Sequence, residues 1–203
     1  MIEMLDYGLQ FLILLVCAAY SGVQAGRTRD RGWLMLVFIF SGFVMGNLYW
    51  LLCMALQGST PKLHIISELS WYTTYIFLCL CLRLVQDGRT PARSWLAWLA
   101  PAFTAAAGLY FCRWGDYVGN LIVAILMGRL GFLTLQGLLE EDRPAVRRLY
   151  RVIAAFILME YGIWFSSCIF SGDTLANPYF WFDGGLTFVM VLLTRSYGKA
   201  VAA

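Results

Sequence analysis

Long apolar segments alternate with short polar connections along nearly the whole chain. Each apolar segment holds about 20 residues, the number that an α-helix needs to cross the hydrocarbon core of a bilayer. We find seven segments, over residues 7–25, 33–56, 66–86, 94–111, 117–138, 149–171 and 179–195. The pattern predicts an all-α integral membrane protein, in which seven transmembrane helices form one bundle and one domain over residues 1–203.

The composition agrees with this class. The chain is 61% hydrophobic and 13% charged, with a mean hydropathy of +0.70. Soluble domains carry about twice that charged fraction, and the seven segments leave too few residues for a soluble domain. The first segment follows MIEMLD, which lacks the positive charge of a signal peptide. We therefore expect it to be retained as a helix.

The basic residues are distributed unevenly over the polar connections. Twelve of the fifteen Lys and Arg follow the first, third, fifth and seventh segments, whereas Lys62 and Arg113 lie on the other side and Arg129 lies inside a segment. The positive-inside rule then predicts an N-terminus outside the cell and a C-terminus in the cytoplasm. Because this asymmetry accounts for the net charge of +3, we expect no nucleic-acid binding.

A faint internal similarity links the two halves of the chain. WLLCMALQG (50–58) and WFSSCIFSG (164–172) share a Trp and a Gly, and the acids Glu68 and Asp183 follow at similar distances. A parallel 3+1+3 repeat, with the fourth segment as a linker, is one interpretation. Coincidence in an apolar sequence of limited composition is the other.

Small residues recur four positions apart in GVQAG (22–26), GFVMG (42–46) and TAAAG (104–108). Such spacing lets helix backbones approach closely within a membrane. The helix faces that carry these small residues pack either against other helices of the same chain or, in a more specific interpretation, against a second copy of the protein in a homodimer.

Opposite charges lie in the middle of two adjacent segments. Arg129 and Glu160 are each about 16–18 Å from a segment end at 1.5 Å per residue, so both should fall near the bilayer midplane. A lone charge there costs at least about 2.5–3.5 kcal/mol. We therefore expect a direct or water-bridged contact between Arg129 and Glu160, which either serves a ligand or only fixes how two helices pack.

Polar and aromatic residues recur at helical spacing on four of the segments. The faces are Asn47 and Trp50 in the second, Glu68, Tyr72, Tyr75 and Cys79 in the third, Glu160, Trp164 and Ser167 in the sixth, and Asp183, Thr187, Met190 and Thr194 in the seventh. Because lipid disfavours such faces, they should point into a common interior. We predict an outward-facing ligand pocket with aromatic walls and the Arg129–Glu160 pair as its floor. The acidic rim of this pocket favours a cationic or neutral polar molecule as the ligand. The alternative to a pocket is a packed bundle interior that binds no ligand.

Several chemistries lack the residues that they require. The single histidine, His64, lies in a connection, so zinc or haem sites with paired His cannot form. Both lysines, Lys62 and Lys199, lie outside the segments, which excludes a retinal Schiff base. The six cysteines show no metal-ligand spacing, and we expect free thiols or a disulfide on the outer side. We expect no cofactor, no metal and no enzymatic activity.

Two stretches resemble parts of a known family of membrane sensors. ISELSWYTTYIFLCL (66–80) and NPYFWFDGGLTFVMVLL (177–193) are similar to parts of the seven-helix sensory modules at the N-termini of some bacterial histidine kinases and diguanylate cyclases. The resemblance implies a receptor-like signalling protein of the bacterial inner membrane. No kinase or cyclase sequence follows the last segment, so we expect either a sensor that acts through a cytoplasmic signalling partner or one whose output domain was lost or removed; shared composition alone is the other interpretation of the resemblance.

Two other functions compete with the sensor. The seven segments, the outside N-terminus and the 3+1+3 plan are also similar to SWEET and PQ-loop transporters of small solutes. Their Pro-Gln signature is absent, and no proline interrupts the first, second, fifth or sixth segment, so the transporter ranks second. The third function is an accessory subunit of a membrane complex, with a partner against the small-residue faces.

Overall fold

The computed structural model describes residues 2–61, 65–86 and 94–202. These residues form helices and no strand, which confirms the all-α prediction. The helices are α1 (Ile2–Thr28), α2 (Arg31–Gln57), α3 (Ile65–Gln86), α4 (Leu99–Phe111), α5 (Tyr117–Glu140), α6 (Pro144–Ile169) and α7 (Pro178–Val201). Short 3-10 turns, Trp95–Trp98 and Cys112–Trp114, flank α4. His64 and Lys62 lie outside the described residues.

Six of these helical segments are long and apolar enough to cross a membrane: α1, α2, α3, α5, α6, and α4 together with its 3-10 turns. α7 has 24 residues but is not among them, because Asp183, an adjacent Gly pair and Arg195 interrupt its apolar sequence. Large apolar side chains such as Leu12, Val16 and Leu158 are exposed on the outer surface of the bundle. Such a surface is stable in lipid and not in water, so the chain is a multi-pass membrane protein.

Capping residues explain where several helices begin and end. Asp30 accepts a hydrogen bond from Gly32 N (3.0 Å) at the start of α2, and Asp116 accepts one from Gly119 N (3.1 Å) at the start of α5. Both bonds satisfy amide groups that a helix leaves unpaired at its first turn. α2 ends at Gly58, whose φ of 65° places it in the left-handed region that glycine adopts without strain.

The fourth apolar segment differs from the uninterrupted helix that its sequence predicts. Residues Trp95–Trp98 form a 3-10 turn, and α4 begins only at Leu99. Pro101 therefore falls in the first turn of α4, where the missing N–H is not needed, and not in the interior of a longer helix.

Six helices close a ring, and α4 lies outside it. Helices adjacent in sequence contact each other from α1 to α3 and from α5 to α7, while α3–α5 and α1–α7 contacts complete the ring. α4 packs mainly on α5, and its Phe111 contacts Trp164 of α6 with ring centroids 5.0 Å apart. We call the end at which α1, α3, α5 and α7 begin the mouth end of the bundle.

Small residues let neighbouring helices of this chain approach closely. A Cβ on Gly42 would lie 2.7 Å from the Ser70 carbonyl oxygen of α3, and a Cβ on Gly108 would lie 2.9 Å from Ala124 Cβ of α5. Packing within the molecule is thus confirmed for 42–46 and 104–108. In the pattern 22–26, by contrast, a Cβ on Gly26 would meet no atom within 4 Å.

We expect Gly42→Val to lower the free energy of unfolding by about 2 kcal/mol, because overpacking a tight contact costs about 1–3 kcal/mol. The obstructing atom is a backbone oxygen of α3, which cannot turn aside as a side chain would. Gly8→Val is the matched control, since Gly8 is also helical and a Cβ there meets nothing within 4 Å. Thermal unfolding in one detergent compares the variants, and equal losses would contradict the α2–α3 contact.

Candidate ligand-binding site

A cavity of about 530 Å³ lies between the helix ends at the mouth end. Its position follows from the helix termini, because Glu3 begins α1, Trp50 lies near the end of α2 and Tyr179 begins α7. Aromatic side chains from four helices form much of its wall: Tyr7, Trp50, Trp71, Tyr75, Tyr179 and Phe180. The volume and the aromatic wall are those of a small-molecule site.

Five carboxylates line the same cavity: Glu3, Glu68, Glu160, Asp173 and Asp183. Glu160 and Asp183 are the deepest, with only 8% and 4% of their surface exposed. Within the described residues no Lys, Arg or His lines the cavity. The site is therefore acidic, and two of its acids are removed from bulk water.

Hydrogen-bond donors of the wall already point at three of these acids. The bonds run from Trp50 Nε1 to Glu3 Oε1 (2.9 Å), from Tyr75 Oη to Glu160 Oε2 (2.8 Å) and from Gln10 Nε2 to Asp183 Oδ1 (3.0 Å). The bonds fix the orientation of each carboxyl group. Because these donor groups are already engaged, the wall offers a ligand the acceptor oxygens of the carboxyl groups.

A buried network beneath the cavity joins α1, α2 and α7. Asn47 Nδ2 donates to Gln10 Oε1 (2.6 Å), and Gln10 Nε2 donates to Thr187 Oγ1 (2.9 Å) as well as to Asp183. All four side chains are at least nine-tenths buried. The side-chain amide of Gln10 on α1 therefore holds the carboxyl group of Asp183 on α7 in place across the contact between the two helices.

Asp183 and Asp6 bring two carboxyl groups together between α7 and α1. The Oδ2 atom of each is buried and receives no hydrogen bond from a described residue. Two acceptors in contact leave each other unsatisfied unless a proton or a cation lies between them. One member of this contact, Asp183, lines the cavity.

A second cavity of about 450 Å³ adjoins the first. Glu68, Tyr75 and Glu160 line both cavities, so the Tyr75–Glu160 hydrogen bond stands at their junction. On the far side Trp164 donates through Nε1 to Asn120 Oδ1 (2.9 Å), which ties α6 to α5.

The expected contact between Arg129 and Glu160 is wrong. Glu160 is buried and accepts its hydrogen bond from Tyr75, whereas the Arg129 side chain is exposed and forms no ion pair or hydrogen bond with a described residue. Arg129 lies instead along a groove between α4 and α5 that is lined by small and apolar residues such as Gly108 and Ile125. Equal depth on adjacent helices does not bring two residues together when they occupy different faces.

The structure brings the other predicted site residues to the two cavities and to the network beneath them. Glu68, Tyr75 and Glu160 line both cavities, Trp50 and Asp183 line the larger, Tyr72 and Trp164 line the smaller, and Asn47 and Thr187 belong to the network beneath. Arg129 is the exception. All six cysteines are free thiols, as one of the two alternatives predicts.

The sequence interpretation missed the contribution of α1. Tyr7, Gln10, Leu14, Cys17 and Ser21 are buried on one face of this helix at three- and four-residue spacing. That spacing, with a glutamine inside the run LQFLILL, was the available signal.

Comparison with known proteins adds no assignment, since no family model, curated protein or solved structure matches this chain. Within the described residues, no three His, Cys, Asp or Glu side chains lie close enough to hold a metal ion. The chemistry of the site is therefore that of separate carboxylates on an aromatic wall.

Proposed function

We propose that this protein binds a small molecule in the cavity at the mouth end and acts as a receptor-like sensor. The observation that carries the proposal is convergence: side chains from α1, α2, α3, α6 and α7 line one cavity of about 530 Å³. Protein interiors are close-packed, so a cavity of this volume beside buried, separately oriented carboxylates supports a ligand site.

The proposal includes seven membrane spans with the mouth end outside the cell. Asp183 and Thr187 of α7 are buried against the bundle, so α7 can cross a bilayer without showing these side chains to lipid. Arg27, Arg147 and Lys199 lie at the opposite end, which supports a cytoplasmic location for it by the positive-inside rule. A ligand would then enter from the outer side, across the inner membrane of a bacterium if the resemblance to sensory modules holds.

α7 offers a route from the cavity to the cytoplasmic end. Asp183 lies at the cavity, and Tyr197 of the same helix donates to Asp30 Oδ2 (2.7 Å) and packs on Trp33 with ring centroids 5.1 Å apart. A displacement of α7 at the cavity would therefore reach the α1–α2 connection. This supports a sensor that reports to a cytoplasmic partner.

The position of α4 favours a small-solute transporter as the second candidate. The ring consists of α1–α3 and α5–α7, with α4 outside it, as a 3+1+3 repeat with a linker helix would require. The end of α2 differs from that of α6, however, because Gly58 caps α2 directly and Gly172 follows α6 by three residues.

A ligand screen with a flux assay tests the proposal. Purified protein is heated with a library of small cations, neutral molecules and anions; a ligand at 100 times its Kd adds about 2.7 kcal/mol and should raise the unfolding midpoint by about 5–10 °C. Ile163→Trp, at the junction of the cavities, should abolish the shift, and Arg129→Ala should retain it. Flux of a hit through liposomes would support the transporter instead, and a library without hits would contradict both.

A further inference from the structure

We infer that the ligand of this cavity is a protonated organic amine, an inference that rests on the binding function proposed above. The first argument is charge. Glu160 and Asp183 are buried at the cavity, and no basic side chain of the described residues lines it. An anion would lose its hydration beside carboxylates, whereas an ammonium group gains a partner that is itself poorly hydrated.

The second argument is the polarity of the hydrogen bonds. Trp50, Tyr75 and Gln10 direct their donors at Glu3, Glu160 and Asp183, respectively. What the acids still offer is lone pairs: Glu160 Oε1 receives no hydrogen bond from the described residues, and neither does Asp183 Oδ2. A ligand that brings N–H groups satisfies these oxygens.

The third argument comes from the unsatisfied contact between Asp183 and Asp6. Their Oδ2 atoms are buried acceptors without a donor, and Asp183 is 4% exposed while lining the cavity. A positive group at Asp183 would compensate this crowding of acceptors, as a shared proton does. The site thus holds an acceptor that an ammonium ion is suited to pair with.

An organic body suits the rest of the cavity better than a metal ion does. The described residues offer no cluster of three metal-ligating side chains, so the acids are spread along the wall and do not surround one point. Between them stand aromatic rings, among which Tyr7 and Trp50 have centroids 5.3 Å apart. Aromatic faces attract ammonium groups and also cover the carbon skeleton of an amine.

Matched pairs of probes test the inference. 2-Phenylethylamine is compared with 2-phenylethanol, and 1,4-diaminobutane with 1,4-butanediol, by calorimetric titration of the full chain in nanodiscs. Each pair differs mainly in the charge and the donors of its nitrogen. We expect at least one amine to bind at least tenfold more tightly than its alcohol.

Two variants locate the binding. Asp183→Asn keeps an oxygen for Gln10 and Glu160→Gln keeps one for Tyr75, so each removes an ionisable carboxyl group and retains a hydrogen bond. Each should weaken amine binding at least tenfold, while Asp142→Asn, exposed between α5 and α6, should leave it unchanged. If Asp183→Asn does not fold, Glu160→Gln decides alone.

The outcomes separate this inference from the proposed function. Equal binding of amine and alcohol, or library hits that are only neutral or anionic, would contradict the inference that the ligand is an amine. Either result would still agree with the proposed binding function. Amine binding that survives both substitutions would overturn the assignment to these acids. If neither amine binds and the library gives no hit, the inference and the proposed function both fall.

Discussion

Gln10→Leu is expected to lower the free energy of unfolding by about 4 kcal/mol, because one buried unsatisfied polar group costs about 1–3 kcal/mol and this change leaves several. Asn47 Nδ2 loses its acceptor, while Asp183 Oδ1 and Thr187 Oγ1 lose their donor. Leucine nearly preserves the volume, so the effect is due to the missing amide. In a chain of this size the unfolding midpoint should fall by about 10 °C.

Gln57→Leu is the matched control, since Gln57 is exposed at the end of α2. It should change the midpoint by no more than about 1 °C, as surface substitutions do. Adding Asn47→Leu to Gln10→Leu should recover part of the loss, because both ends of one hydrogen bond then become apolar. A loss below about 1 kcal/mol for Gln10→Leu alone would contradict the network, since one buried unsatisfied group already exceeds that value.

Tyr75→Phe is expected to destabilise the protein by about 1–3 kcal/mol, because a buried polar group left without its hydrogen-bond partner costs about that much. Its hydroxyl is the only donor that the described residues offer to Glu160. The bond also links α3 to α6 across the interior, at the junction of the two cavities. Circular dichroism during heating measures the loss.

Tyr110→Phe serves as the comparison, because Tyr110 is 44% exposed on α4 and its hydroxyl bonds to no described residue. A double-mutant cycle isolates the pair: in a Glu160→Leu background, Tyr75→Phe should cost at least about 1 kcal/mol less than in the parent. Equal costs in both backgrounds would mean that the tyrosine acts through packing alone.

The fold class could be predicted because it depends on length and periodicity. Segments of about 20 apolar residues specify helices, and all seven coincide with a helical segment within a few residues at most ends. The inward faces of α3 and α7 followed from the same spacing, since Tyr75, Cys79, Thr187 and Met190 are all buried. The 3-10 turn before α4 was missed because propensity does not separate it from a first helical turn.

The error at Arg129 has a simple geometric cause. Counting residues along a helix gives depth, but two residues make contact only if their helix faces also meet. Leu121 and Ile125, eight and four positions before Arg129, are both exposed, which places all three on one outward face. Glu160 faces the interior of the bundle, where Tyr75 of α3 is its hydrogen-bond partner.

The outward position of Arg129 bears on the lipid that surrounds the protein. If α5 crosses a bilayer, the Cα atom of Arg129 lies about 16–18 Å from either end of its helix, farther than its side chain extends. Hydrocarbon of full thickness would then meet a bare cation beside α4. The membrane must thin or admit water on that flank, so short-chain lipids should solvate this side of the molecule better than long-chain ones.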